Sequence, residues 1–452
     1  MHYSTVSVLA ALALIGSAGA VSARDVAADK AAVDGILASS YPHLDALYKD
    51  IHAHPELGFQ ETRTAALLAV EMRAIGFEVT EKVGKTGLVA VYRNGAGPTV
   101  SVRTELDALP MEEKTGLPYA SHVETTWNGK PTFVDHSCGH DIHMAAWIGT
   151  AQALVKLKDR WHGTLVFIGQ PAEEEISGAK AMLADGLFTR FPKPDVGFAL
   201  HTMPAAYGLV AYRPGVLSSN ADDITITFKG RGGHGASPDR TIDPVMMAAR
   251  FIVDAQGVVS REKDPQRPGV VTIGAISGGS VGNIIPDQVL LRGTIRDFDE
   301  TTRAKLIEGV TRTAKAEATM AGAPEPEIVI GAQKTDAVIN DTALAERTGR
   351  VFKAAFGDKA LLSPAPNTAS EDYSVFIQAG MPALDFQIGV YDPKRAADAA
   401  AGGAPLPSNH SPFFAPVPEP TIRTGVEAMT LAVINAMQPG APASTPRTGG
   451  GR

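Results

Sequence analysis

Apolar residues recur three and four positions apart over Asp45–His54 and again over Glu61–Ile75, the spacing of one helical face. Three short β-rich runs follow at Phe77–Thr80, Leu88–Tyr92 and Thr99–Arg103. Met144–Lys158 has the pattern of an amphipathic helix. Thr164–Ile168 and Val196–Leu200 read as apolar strands, with a helix over Gly178–Leu183 between them. From Asp222 the grammar changes. The order becomes strand Ile224–Phe228, helix Asp243–Val259, strand Val270–Ile276, strand Val289–Arg296, helix Glu300–Met320 and strand Glu327–Ile330. That βαββαβ order is the ferredoxin-like unit. The α/β pattern then resumes with helix Asp341–Phe356, a helix N-capped by Ser370, strand Ala383–Ile388, an Ala/Gly-rich loop over Lys394–Pro407 and a last helix from Pro420 to Met437. The predicted fold is α/β with two domains. A main α/β/α domain is built from residues 24–216 and 332–437, and a ferredoxin-like α+β satellite, 217–331, is inserted into it.

A chain of 452 residues is too long for one simple core, which agrees with two domains. Hydrophobic content of 44% and charged content of 20% are those of an ordinary globular protein. The net charge is −8 with both signs scattered, and no Lys/Arg cluster marks a nucleic-acid or anionic-membrane surface. Residues 1–23 read as a secretory signal. Val6–Ile15 is apolar but too short to span a bilayer, and Ala18-Gly19-Ala20 and Val21-Ser22-Ala23 are small-x-small cleavage sites. Cleavage would leave a mature chain starting at Val21 or Arg24. The expected location is therefore outside the cytoplasm, periplasmic or secreted, with no membrane contact once the signal is removed. Residues 438–452 are rich in Pro, Gly, Ser and Thr and are expected to be disordered.

The candidate chemistry centres on Cys138-Gly139-His140-Asp141-Ile142-His143, which holds the only cysteine. One cysteine forms no internal disulfide. A thiolate and an imidazole two residues apart both suit zinc and its first-row neighbours. The first domain supplies further ligand types where apolar strands end. Thr99–Arg103 leads to Glu105 and Asp107, Thr164–Ile168 to Glu173-Glu174-Glu175, and Val196–Leu200 to His201. Acids at a helix start commonly complement its dipole. Three strands that each deliver Glu, Asp or His at one end instead converge on a site, where open α/β sheets place their chemistry. Two glycine-dense loops of the satellite, Gly230–Pro238 and Gly278–Pro286, carry His234 and Asn283.

Taken together, Asp107-Ala108-Leu109-Pro110, Cys138-Gly139-His140-Asp141, Pro171-Ala172-Glu173-Glu174, His201-Thr202-Met203-Pro204, Gly233-His234-Gly235-Ala236, Gly282–Pro286, Ser370-Glu371-Asp372 and His410-Ser411-Pro412 form an ordered set. The chain resembles the M20 metallopeptidases, specifically their amidohydrolase branch of hippurate, N-acyl-amino-acid and auxin-conjugate hydrolases. The likeness runs from about His52 to His410. It implies that the α/β/α domain is catalytic and holds two divalent metal ions, with Cys138, His140, Glu174, His201 and His410 as ligands. It also implies Glu173 as general base, and His234 and Asn283 as contacts to the substrate's carboxylate or the developing oxyanion. In dimeric relatives the inserted domain carries the subunit contact, so a homodimer through 217–331 is an expectation. Relatives usually begin the first motif with Asp; here that acid is Glu105.

These residues suit amide hydrolysis. A metal lowers the pKa of its water and polarises a carbonyl, and five candidate ligands exceed one tetrahedral site. Glu173 would take the water's proton and pass it to the leaving amine. Asp107 or Glu105 would orient the His140 ring from behind. The ligand types accept manganese, zinc, cobalt or nickel. The expected activity is cleavage of N-acyl amino acids. The alternatives are a metallo-carboxypeptidase or dipeptidase acting on short peptides, and a catalytically silent metal- or ligand-binding relative.

Overall fold

The computed structural model describes residues 23–438. The predicted signal, apart from Ala23, and the predicted tail beyond Gln438 lie outside the described residues. Among the described residues no helix is long and apolar enough to cross a membrane.

An eight-stranded sheet organises the first domain. Its spatial order is Glu78–Val83, Gly87–Asn94, Gly163–Gln170, Thr99–Glu105, Val196–Ala206, Ala383–Tyr391, Val210–Tyr212 and Ala360–Leu362. The four strands from Gly163–Gln170 to Ala383–Tyr391 run parallel to one another. Parallel strands covered on both faces need near-continuous apolar runs. Leu165 to Ile168 is such a run, and every residue of it is buried. Five helices cover one face: Ala23–Ala53, Thr62–Ile75, His140–Lys156, Thr342–Phe356 and Pro418–Ala436. Their apolar sides meet the sheet in the main core, which includes Leu44, Tyr48, Leu68, Trp147, Phe167 and Val426. The other face buries Val89, Val166, Met182, Tyr373 and Phe376 with the short helices Gly178–Ala184 and Ser374–Gln378. The result is an α/β/α sandwich.

The second unit is a four-stranded antiparallel sheet in the order Gly269–Ser277, Gln288–Asp297, Asn220–Lys229 and Glu327–Thr335. Ile224, Ile226 and Phe228 alternate along one strand and bury one face. The helices Pro244–Gly257 and Glu300–Met320 supply Phe251, Leu306 and Val310 to that separate core. The chain leaves and re-enters the first domain side by side. Gly215–Val216 pairs with Ile339–Asn340, and the Leu217 N–H donates to the Val338 carbonyl at 2.8 Å.

Three local expectations are corrected, and one element is added. The first helix begins at Ala23 rather than Asp45 and carries Pro42 inside it. Burial of Val33, Leu37 and Leu44 against the core outweighs the proline. Ser370 is not an N-cap; the helix starts at Ser374, and Glu371 and Asp372 turn inward ahead of it. The supposed Lys394–Pro407 loop contains a helix, Pro393–Ala400, capped by the Asp392 side chain. A hairpin, Glu124–Trp127 with Lys130–Phe133, was not expected. Its Asn128-Gly129 turn has φ of 50° and 75° at the two residues, a turn signature present in the sequence.

The packing gives a direct test. Trp147 is buried in the main core and donates its ring N–H to the Val102 carbonyl at 3.0 Å. Trp147→Ala is expected to cost about 3–5 kcal/mol, whereas Trp127→Ala, at a 41% exposed position, should stay within about 0.5 kcal/mol. Denaturant unfolding of the two variants checks this.

Candidate metal centre

Adjacent parallel strands bring the acids and imidazoles to one edge of the sheet. Thr99–Glu105 ends in Glu105, and Gly163–Gln170 hands over to Pro171-Ala172-Glu173-Glu174. Val196–Ala206 contains His201, which therefore lies within its strand rather than beyond its end. Cys138 and His140 arrive at the start of the helix His140–Lys156. Gly139 between them sits at φ +88°, and a Cβ there would lie 2.6 Å from Thr202 Oγ1, so only glycine fits the turn. His410 comes from the loop ahead of the last helix, at φ +63°. Its backbone N–H donates to the Ser137 carbonyl at 2.9 Å.

The ligand atoms of Cys138, His140 and His201 lie within 4.8 Å of one another. The same holds for Cys138, Glu174 and His410, and for His140, Glu173 and Glu174. All five expected ligands are thus together, with Glu173 beside them and Cys138 shared between two sets. Cys138 Sγ is 3.4 Å from His201 Nε2, and His410 Nε2 is 3.3 Å from Glu174 Oε1. His140 Nε2 stands 3.9 Å from both Glu173 Oε2 and Glu174 Oε1.

The residues fit divalent cations. His140 Nδ1 donates to the Asp107 carbonyl at 2.8 Å, and His201 Nδ1 donates to the Thr202 carbonyl at 2.7 Å. A carbonyl only accepts, so each ring carries its hydrogen on Nδ1 and turns an Nε2 lone pair toward the cluster. His140 Nε2 is buried with no hydrogen-bond partner, an uncommon condition that a cation relieves. Burial lowers the pKa of His140 and, backed by the His143 ring, holds His201 down to about 3. Both are then neutral, the form that binds metal. Burial, with the charges of Glu174, Glu173 and Glu105, pushes the Cys138 thiol well up; a coordinated cation reverses that. Burial also pushes Glu174 upward, but the His410 hydrogen bond and the nearby His140 hold its carboxyl below the usual range.

The turn that carries the two glutamates is strained and clamped. Ala172 has φ +46°. Its N–H donates to Glu61 Oε1 at 2.8 Å, and the Glu174 N–H donates to Asp107 Oδ2 at 2.9 Å. Gly178 packs so tightly that a Cβ would stand 1.5 Å from the Pro171 carbonyl oxygen. Such strain persists only where the surroundings fix it. Burial and the neighbouring Glu371 and Glu174 raise Glu173 well above an ordinary carboxyl. Beneath it, the buried Arg103 donates to Gln170 Oε1 at 2.9 Å, to Glu371 at 2.7 and 3.1 Å, and to Glu105.

The expected roles behind the ligands change in detail. Asp107 orients His140 through its backbone carbonyl; its carboxylate, 3.7 Å from the ring, holds the glutamate turn instead. Glu105 accepts from His143 Nδ1 at 2.9 Å, not from His140. His234 lies on the exposed ribbon formed by Gly233–His234 and Ile284–Ile285, paired with Ile284, and Asn283 sits in the turn just ahead of the second strand. The Gly235 N–H donates to the Asn283 carbonyl at 2.8 Å. Among the described residues, no hydrogen bond or ion pair joins either side chain to the ligand cluster. Glu61 and Arg103 were not expected at the site; His143 was noted beside the Cys138–His140 stretch but given no role. A basic residue in a strand whose other inner positions are uncharged was the signal for Arg103.

An α/β/α sheet with a thiolate, imidazoles and carboxylates gathered at its strand ends, and a satellite domain, defines a metal-dependent hydrolase of linear amides. Residues 102–433 match peptidase family M20/M25/M40. Hippurate hydrolase of Campylobacter jejuni is 37% identical over 73% of this chain and 83% of its own length. N-acetyl-L-cysteine deacetylase of Bacillus subtilis is 34% identical over 73% of this chain and 76% of its own. The crystal structure of the Bacillus subtilis YXEP protein, a dinuclear metal-binding peptidase from family M20, superposes with a TM-score of 0.70 at 26% identity, covering 90% of this chain and 99% of that one. The chain belongs to the M20 peptidase family, within its amidohydrolase branch.

Cys138 belongs to both the His201 set and the His410 set, so its loss should weaken more than one contact. Cys138→Ser is expected to lower metal affinity roughly 10-fold or more, with turnover falling in parallel. Metal analysis after dialysis checks this; a variant with full metal content and full turnover would remove Cys138 from the ligands.

Proposed function

We propose that the chain is an exported hydrolase that cleaves the amide bond of N-acyl amino acids such as hippurate-like compounds. The observation that carries this reading is the division of labour between two adjacent carboxylates. Glu174 is engaged by His410 at 3.3 Å, while Glu173 is buried 3.9 Å from the His140 ring and held in a proton-accepting environment. Divalent cations held by Cys138, His140, Glu174, His201 and His410, two per chain, would supply the Lewis acidity that acidifies water and polarises the amide carbonyl. Glu173 takes a proton from the attacking water. It then gives that proton to the amide nitrogen as the C–N bond breaks, which releases a carboxylic acid and an amino acid. The strained Ala172 turn, clamped by Glu61 and Asp107, keeps Glu173 aimed at the cluster. A silent binding protein has no use for a carboxylate poised in this way.

His234 and Asn283 enter this reading through a second copy of the chain. Both are exposed on the satellite ribbon, and the outer strand there presents Ile276, 62% exposed. A homodimer formed through residues 217–331 would bring the pair to the partner's substrate. The apolar run Val6–Ile15 and its small-x-small sites support export.

Glu173→Gln should keep the cations and lose hydrolysis by roughly 100-fold or more; near-normal turnover would exclude Glu173 as the base. A matched pair of substrates, benzoylglycine and a dipeptide with a free amino terminus, tests the substrate class. Preferential turnover of the acylated compound is expected. Preference for the dipeptide would favour a carboxypeptidase or dipeptidase, and turnover of neither with added manganese or zinc would favour a silent relative.

A further inference from the structure

His143 stands one helical position beyond the ligand-bearing turn, and its ring is buried behind the cluster. Its ligand atoms lie within 4.8 Å of those of Glu105 and His140, so distance alone would count it among the metal-binding groups. Its hydrogen bonds exclude that role. The Thr202 N–H donates to His143 Nε2 at 2.8 Å. That nitrogen therefore bears the ring's lone pair, and Nδ1 bears the hydrogen. Nδ1 donates it to Glu105 Oε2 at 2.9 Å, and Glu105 in turn accepts from Arg103. Both ring nitrogens are spent inside the protein.

Thr202 is the point where this chain of bonds meets the metal ligands. Its carbonyl takes the Nδ1 hydrogen of His201. Its hydroxyl donates to the Cys138 carbonyl at 2.9 Å. Asn409, next to His410, donates from Nδ2 to the same Cys138 carbonyl at 2.9 Å and to Thr202 Oγ1 at 3.2 Å. One residue thus ties the segments that carry Cys138, His201 and His410. Its N–H is held by the bond that ends on His143.

We propose that His143 is a positioning residue which, through the Thr202 N–H, sets the Cys138–His140–His201 side of the metal centre more strongly than the Cys138–Glu174–His410 side, which meets Thr202 only through its hydroxyl and the Asn409 amide. This rests on the two-cation reading above.

Two substitutions separate positioning from space filling. In His143→Gln the amide oxygen falls near the place of Nε2 and still accepts from the Thr202 N–H. In His143→Asn the amide nitrogen replaces Nδ1, so the Glu105 bond survives and the Thr202 acceptor is lost. Metal-stripped protein is titrated with zinc against a competing chelator, with circular dichroism to confirm folding. The wild type is expected to bind two cations. H143N should bind one of them roughly 10–100-fold more weakly and the other with a clearly smaller loss, and H143Q should stay near the wild type. Equal affinities in all three proteins, or equal losses in both variants, would overturn the proposal. A wild type that binds fewer than two cations would contradict the two-cation reading, and the proposal would fall with it. Nuclear magnetic resonance of the cadmium-113-loaded wild type tests the same point without a variant. Coupling from cadmium to the His140 and His201 rings, with none to His143, is expected; coupling to His143 would overturn the proposal.

Discussion

Two hydrogen bonds from imidazole to backbone carbonyl decide what this protein can hold. His140 gives its Nδ1 hydrogen to Asp107 and His201 gives its own to Thr202. Each bond removes one tautomer and fixes the ring plane, so the two remaining lone pairs face the Cys138 sulfur. Because the acceptors are main-chain atoms of the sheet and the loop after it, ligand geometry is set by the same ladder that forms the core. The parallel strands Thr99–Glu105 and Gly163–Gln170 end together while Val196–Ala206 runs on past them with His201 inside it, and residues far apart in sequence become neighbours at that edge.

That placement has an electrostatic consequence. Glu105, Glu371 and Asp372 crowd one buried guanidinium, Arg103, with Glu173 close by. Buried carboxylates in such excess must be protonated, paired or neutralised by cations. Burial and neighbouring carboxylates push Glu371 up to about 8, against the opposing pull of Arg103. The site therefore combines acceptors that call for cations with acids that hold protons. Both are needed where an amide is to be split by water.

Much of the architecture was legible before the structure. The alternation at Ile224–Phe228 and the helical period at Glu300–Met320 marked the satellite, because each element buries one face against one small core. The residues that the fold gathers at the candidate site were legible through the ordered motifs more than through any single spacing. What escaped notice has physical reasons. The first helix extends to Ala23 because tertiary burial of Val33 and Leu37 overrides the warning given by Pro42. Glu61 was missed, and His143 was seen without its role, because each acts through a hydrogen bond to a backbone atom of a distant segment, Ala172 and Thr202, and no local pattern in the sequence encodes such a partner. Asp107 was expected to work through its carboxylate and orients His140 with its carbonyl instead, a choice that depends on the path of the main chain.

The central claim is that ligands between Cys138 and His410 converge on cations with Cys138 in common. Crystallography of the zinc-loaded protein with anomalous scattering measures it most directly. The account predicts two anomalous peaks that share the Cys138 sulfur at about 2.3 Å, one reached by His140 and His201 and the other by Glu174 and His410. Peaks that avoid Cys138, or an occupied site built without His201 and His410, would contradict it.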